Sequence, residues 1–188
     1  MGDADPRGAR GGEVTSTERT LFVCGDVMTG RGVDQILPHP CSPRLYEPYA
    51  TSALDYVALA ERAHGAIPRP VDYDYVWGDA LAVLDRVRPD VRILNLETSV
   101  TQSEDVEPKG INYRMHPANL PLMNAARIDC CALANNHVLH WGVAGLLETL
   151  ESLASAGIQV AGAGRDLAAA QSPAILDAHG VRVLVFAF

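Results

Sequence analysis

The stretch "CCALANNHVLHWG", residues 130–142, decides how this chain is read. Five small or apolar residues lead straight into Asn135-Asn136-His137, and a second histidine follows at position 140. A short apolar run bounded by polar turn-formers predicts a buried strand. The carboxyl end of a strand in an open α/β sheet is where such folds present groups to a ligand. Residues 143–157, "VAGLLETLESLASAG", then carry apolar positions at helical spacing and predict an amphipathic helix closed by Gly157 as its C-cap.

The same pattern occurs twice upstream and once downstream. "TLFVCGD" (20–26) and "VRILNLE" (91–97) are apolar runs that end in polar groups, and "IQVAGAG" (158–164) predicts a short fourth strand. Helical spacing recurs weakly over 53–62 and clearly over 74–89, where Pro89 stops it. A further helix is expected over 117–128 despite its internal proline, and a short one over 166–170. Proline-rich residues 38–50 and 65–73 predict loops, and 100–116 a long polar segment. "AILDAHGVRVLVFAF" (174–188) predicts two strands joined by a turn at 178–180. Alternating strands and helices predict an α/β domain, and the late hairpin predicts a mixed sheet.

A length of 188 residues suits one domain, and 48% hydrophobic residues suffice for a core. A net charge of −8 argues against a nucleic-acid surface, which needs clustered Lys and Arg, but leaves room for a small anionic substrate held by one or two arginines and a cation. Cys24, Cys41, Cys130 and Cys131 show no metal-ribbon or C-x-x-C spacing; Cys24 and Cys130 lie in apolar runs, so buried free thiols in a reducing compartment are expected. Residues 1–18 are polar and Gly-rich, without the apolar core of a signal peptide, and predict a disordered lead-in before a domain over 19–188. No stretch is long enough to span a bilayer, so a cytoplasmic location is expected. Phe188 falls inside an apolar strand, from which a domain truncated at its C-terminus is expected.

If the first three strands are parallel neighbours, Asp26, Glu97, Asn136 and His137 converge on one crevice. Two carboxylates, an amide oxygen and an imidazole suit a hard or borderline divalent cation. Each residue alone has an ordinary reading. Gly-Asp after a strand is commonly a turn or a helix cap, a lone Glu a solvated rim charge, Asn-Asn a turn, and a lone His a structural group. The coincidence at three successive strand ends favours a site.

"GDVMTGRGVD", "ILNLETSV", "ALANNHVLHWG" and "GIQVAGAGRDLAAAQSPAIL" occur in this order. Together they resemble the CapA family of poly-gamma-glutamate capsule biosynthesis proteins, which is related to the calcineurin-like metallophosphoesterases. The resemblance covers roughly residues 19–188. It implies the N-terminal part of a layered α/β/β/α sandwich with a mixed sheet, and a metal-dependent, phosphoesterase-like hydrolase of bacterial capsule or cell-envelope metabolism. It implies two divalent ions (Mn, Fe, Zn or Mg), Asp26, Glu97 and Asn136 as metal ligands, and His137 as general acid or transition-state stabiliser. Arg31 and Arg114 are candidates to grip an anionic or polyanionic substrate, with a surface arginine or structural ion pair as the ordinary alternative.

The sequence also departs from the pattern. Met28 stands where typical metallophosphoesterases carry a ligand histidine, and thioether sulfur suits hard cations poorly. CapA-like proteins usually have an aspartate where this chain has His140. That residue is open to three readings: a ligand, a partner of a ligand, or a surface change, with the last two favoured. The remaining histidine ligands are expected beyond Phe188. "AGAGRD" matches neither phosphate-loop pattern and predicts a tight strand-to-helix turn. Two alternatives to the hydrolase stay open: a non-catalytic accessory factor for polyglutamate synthesis or export, and a fragment without independent function.

Overall fold

The computed structural model of the chain describes residues 18–188. Except for Glu18, the expected lead-in over 1–18 lies outside the described residues. Four strands form a parallel sheet in the order β1 (Leu21–Val27), β2 (Val91–Leu96), β5 (Cys130–Ala132), β6 (Gln159–Ala161). The three polar-ended strands are therefore neighbours, with their carboxyl ends on one edge. Parallel pairing needs a crossover between successive strands. These crossovers contain α1 (Gly32–Ile36), α2 (Leu54–His64) and α3 (Ala80–Val87), then α4 (Pro121–Ala125), then α5 (Gly142–Ser155).

The strand sequences alternate between two faces, and each face has its own cover. Leu94, Leu96, Cys131 and Leu133 pack with Ile36, Val57, Leu84, Leu122, Met123 and Leu153 from the helices. Each such fully buried Leu or Met stabilises the fold by about 1.5–3 kcal/mol. Val91 and Cys130 face the other way, against Ala174, Leu176 and Ala178 of β7 (Ala174–Ala178). β7 pairs antiparallel with β8 (Val181–Val185) through the expected turn. The hairpin shares no strand pairing with the four-stranded sheet and covers it face to face, giving a stack of helices, parallel sheet and hairpin; the Gln159 side chain of β6 joins the layers, donating to the Ile175 carbonyl at 2.9 Å and accepting its N–H at 3.1 Å. Arg19 secures this stacking: its guanidinium donates to the carbonyls of Ala178 and His179 at 2.7 and 3.0 Å.

Local physics refines several expectations. The helix expected over 74–89 is a 3₁₀ turn at Tyr75–Trp77 followed by α3, because Gly78 adopts φ 50° and breaks the run. The polar segment 100–116 is not wholly loop. β3 (Ser99–Val100) pairs with β4 (Arg114–Met115), and β3 packs against α5, where the Thr149 hydroxyl accepts the Val100 N–H at 2.9 Å. The residues 117–128 divide at Leu120 into a 3₁₀ turn and α4, with a proline beginning each piece, as its fixed φ allows. α1 was not foreseen. Its Asp34 is buried and accepts N–H groups from Cys41, His116 and Asn119 at 2.6, 2.9 and 3.1 Å, tying three loops together. Burial raises this carboxyl above its ordinary pKa, against those three donors. All four cysteines are free; Cys130 is buried as expected and Cys131 with it, while Cys24 is only half-buried; burial pushes the Cys130 thiol up to about 11.

Candidate functional site

The site begins with an irregularity in β1. Register with β2 runs residue for residue to Cys24, then skips Gly25, so that Asp26 lies opposite Asn95 and Val27 opposite Leu96. This one-residue bulge reverses the alternation, as bulges do. Val27 keeps its place in the core, and Asp26 shares a face with Asn95. Asn95 Nδ2 donates to Asp26 Oδ1 at 2.5 Å, and Asn95 Oδ1 accepts from Asn135 Nδ2 at 3.1 Å. A polar chain therefore crosses three strand ends.

Asn135 also turns the backbone. Its Oδ1 accepts the His137 backbone N–H at 3.0 Å, the side-chain mimic of a turn that Asn makes readily, while its Nδ2 donates to the Leu96 carbonyl at 2.9 Å. The first asparagine of the Asn-Asn-His run is therefore architectural. Asn136 is exposed and His137 buried.

His137 Nε2 lies 2.9 Å from Glu97 Oε1 and 3.1 Å from the Asn136 side-chain amide. Its Nδ1 lies 3.1 Å from His140 Nδ1. The Tyr113 ring stacks on the His137 ring with centroids 4.4 Å apart and planes 21° apart. On Tyr113 sits the Arg31 guanidinium, 4.6 Å from the ring centroid and 4.9 Å from that of Tyr56. Such cation–π contacts hold a planar cation firmly. Glu47, with a side chain only 1% exposed, pairs with Arg31 at 2.6 Å and accepts the Tyr56 hydroxyl at 2.5 Å. Arg31 itself takes φ 50°.

Burial lowers the pKa of His137, against the opposing pull of Glu97 and Asp26. Burial pushes His140 down to about 4, helped by His137 and Lys109. Both rings are held neutral near pH 7. Lowered imidazole pKa values beside carboxylates recur at functional sites.

The structure brings Asp26, Glu97, Asn136 and His137 to one edge, and Arg31 joins them through Tyr113. Arg114 lies apart. Its Nη1 donates to the Ser103 carbonyl at 2.7 Å and pairs with Glu104 at 2.9 Å, and its guanidinium covers the Trp141 ring at 4.2 Å. His116 caps the 3₁₀ turn at Pro117–Asn119, accepting the Ala118 N–H. Met28 lines an apolar pocket with Val33, Ile36 and Val57, which accounts for a thioether there. His140 is 3% exposed, which removes the reading of a surface change. Sequence reasoning missed Asn95, Asn135, Tyr113 and Glu47. Asn95 and Asn135 stood in quoted strand ends; Tyr113 and Glu47 lie in segments read as loop, with no local signal.

The donor set suits a hard divalent cation in kind, with carboxylate and amide oxygens. It falls short in number: among the described residues no group of three His, Cys, Asp or Glu side chains could hold a metal ion.

An α/β protein with a cluster of polar side chains at the carboxyl edge of a parallel sheet is the class that these observations define. The chain belongs to the family described as "Bacterial capsule synthesis protein PGA_cap", whose model matches residues 20–188. It is 52% identical over 168 residues to proteins named "Probable polyglutamine synthesis accessory protein" from two Mycobacterium tuberculosis strains, CDC 1551 / Oshkosh and ATCC 25618 / H37Rv. The match takes in 88% of this chain and 44% of each relative, so the chain spans less than half the length of these relatives. No helix among the described residues is long and apolar enough to cross a membrane.

Proposed function

We propose that this chain acts in the synthesis of a polyglutamate capsule, a reading supported by the capsule synthesis in its family's description and the polyglutamine synthesis in its relatives' printed name, and that its strand-end cluster of polar side chains is a hydrolytic site for an anionic substrate of phosphoester type. The observation that carries the catalytic part is the Glu97–His137 contact at the sheet edge, with His137 braced by His140 behind and Tyr113 on its face. A buried, neutral imidazole directed by a carboxylate is equipped to pass a proton at Nε2 to a leaving oxygen.

The charges at this edge argue for a cation. Asp26 and Glu97 would repel an anionic substrate, and Arg31, the guanidinium stacked beside them on Tyr113, is already paired with Glu47. An ion here would take Asp26 and Glu97, with the exposed Asn136 amide, as oxygen ligands, and would need donors besides these. When bound, it would neutralise charge on a phosphoryl group and lower the pKa of a bound water. Asn95 and Asn135 keep Asp26 in place, and Tyr113 and His140 keep His137 in place. This arrangement supports kinship with the metallophosphoesterases and a supporting role for Arg31, as positioner more than substrate clamp.

A non-catalytic accessory role is the second reading, favoured by the shortage of metal donors among the described residues. The purified chain, assayed with phosphomonoester, phosphodiester and poly-gamma-glutamate substrates in the presence of Mn²⁺, Zn²⁺ or Mg²⁺, separates the two. The catalytic reading expects product release that a chelator abolishes; no turnover under any combination favours the accessory role.

A further inference from the structure

We propose that the apolar pocket beside the strand-end cluster is a substrate subsite, and that it takes an aryl or branched alkyl group carried by the anionic substrate. The inference rests on the reading of that cluster as the place where a phosphoester is held, and it names the kind of ester.

The pocket follows from how the chain continues past β1. Asp26 belongs to the cluster, Val27 packs into the core, and Met28 lines the pocket. Two extended residues advance the chain by about 7 Å, so the pocket wall begins within one side chain's reach of Asp26. Glu97 lies alongside. Its backbone N–H donates to the Val27 carbonyl at 3.1 Å, between Asp26 and Met28. Two helices that pack on each other supply the other walls. Ile36 is the last residue of α1, and Tyr56, Val57 and Ala60 share one face of α2 by their spacing of three and four. Ile67, past α2, adds to the lining.

Three properties fit an uncharged group. The first is size. The pocket holds about 260 Å³, and a cavity of about 150 Å³ lined by apolar side chains is enough for benzene. The second is exposure. Met28, Tyr56, Ala60 and Ile67 are all left half-buried, so apolar surface remains for a ligand to cover. The third is charge. Arg31 forms part of the wall, and Glu47 already balances it at 2.6 Å. A neutralised guanidinium on the Tyr56 ring has no net charge to draw an anion inward. The anionic end of a ligand therefore belongs at the cluster and its uncharged end in the pocket. Arg31 also joins the two places, since its guanidinium lies 4.6 Å from the centroid of Tyr113, the ring that stacks on His137.

The test titrates three probes into the 188-residue chain in the presence of Mg²⁺. The methyl groups of Met28, Ile36, Val57 and Ile67 are followed by carbon-13 NMR and the probes by phosphorus-31 or proton NMR. Benzylphosphonate carries ring and anion, methylphosphonate the anion alone, and benzyl alcohol the ring alone. The expected result is saturable shifts of those methyls with benzylphosphonate, which binds at least about tenfold more tightly than either other probe, as burial of one ring allows. Ala60→Phe, which puts a ring of its own into the pocket, should remove that preference. Methyls that stay unmoved, whether the probe remains in solution or a protein segment fills the pocket, overturn the proposal. So does benzylphosphonate that binds the native chain no more tightly than methylphosphonate or benzyl alcohol, a comparison that needs no variant. An unchanged preference in folded Ala60→Phe overturns it too. The preference without turnover of any phosphoester would count against the hydrolytic reading alone; turnover without the preference would count against the pocket alone.

Discussion

Asn95 gives its side-chain N–H to Asp26 at 2.5 Å, across the boundary between β1 and β2. Its oxygen is committed to Asn135 at 3.1 Å, so one amide coordinates all three strand ends. Replacing Asn95 by Ala removes one hydrogen bond from the exposed Asp26 carboxylate and one from Asn135, which keeps its bond to the Leu96 carbonyl. The expected loss is about 0.5–1.5 kcal/mol, read from urea denaturation. Asn95→Asp should cost more, because it sets a second carboxylate against Asp26.

How much of this was legible in the sequence depends on how far each signal reaches. β1, β2 and β5 could be read because each is a local apolar run with a polar end, and their neighbouring order made Asp26, Glu97 and His137 converge as expected. The bulge at Gly25 could not be read, because it exists only in the register of β1 against β2. Tyr113 was hidden for the same kind of reason. It lies just before the two-residue strand β4, inside a polar segment, and meets His137 and Arg31 only through tertiary packing. Arg114 shows the opposite error: its sequence neighbourhood suggested an anion site, but its immediate neighbours Ser103, Glu104 and Trp141 occupy it.

Glu47→Ala is expected to destabilise the fold by about 3 kcal/mol. Breaking a buried pair leaves Arg31 uncompensated and removes the acceptor of the Tyr56 hydroxyl. Exchanging both members for apolar residues, Arg31→Met with Glu47→Leu, should recover most of that loss, because the desolvation cost disappears with the charges. Urea midpoints of the single and double variants check this. A double variant weaker than Glu47→Ala would count against the reading of the pair as a structural clamp.

Gly142 opens α5 with φ 66°, and a Cβ there would collide with the Asp105 carboxylate. Gly142→Ala therefore combines a strained backbone with a steric clash, and a cost of about 1–3 kcal/mol is expected. Differential scanning calorimetry should show a lowered Tm. Gly142→Ala combined with Asp105→Ala should regain the part due to the clash and keep the part due to the backbone.

The two buried histidines give stability a defined pH dependence. His140 is pushed down to about 4 in the folded chain, and His137 is lowered as well. The unfolded chain takes up protons at the ordinary imidazole value of about 6.5. Between about 6.5 and 4 the unfolded state holds more protons, so stability falls as pH falls; above about 6.5 these groups add no slope. Urea midpoints at pH 7.5 and 5.5 should differ in that direction, and His140→Asn should flatten the difference. Greater stability at pH 5.5 than at 7.5 would be the opposite of what buried neutral rings require.

The central claim is that the sheet-edge cluster is hydrolytic and that His137 moves the proton. Hydrolysis of a phosphoester by the native chain and by His137→Ala, both in the same saturating divalent cation and both shown to be folded by circular dichroism, tests it most directly. The predicted result is measurable turnover in the native chain and a loss of about 10²–10⁴-fold in kcat for the variant, the range expected when a positioned acid–base group is removed. Equal rates in the two proteins, or no turnover in the native chain, would contradict it.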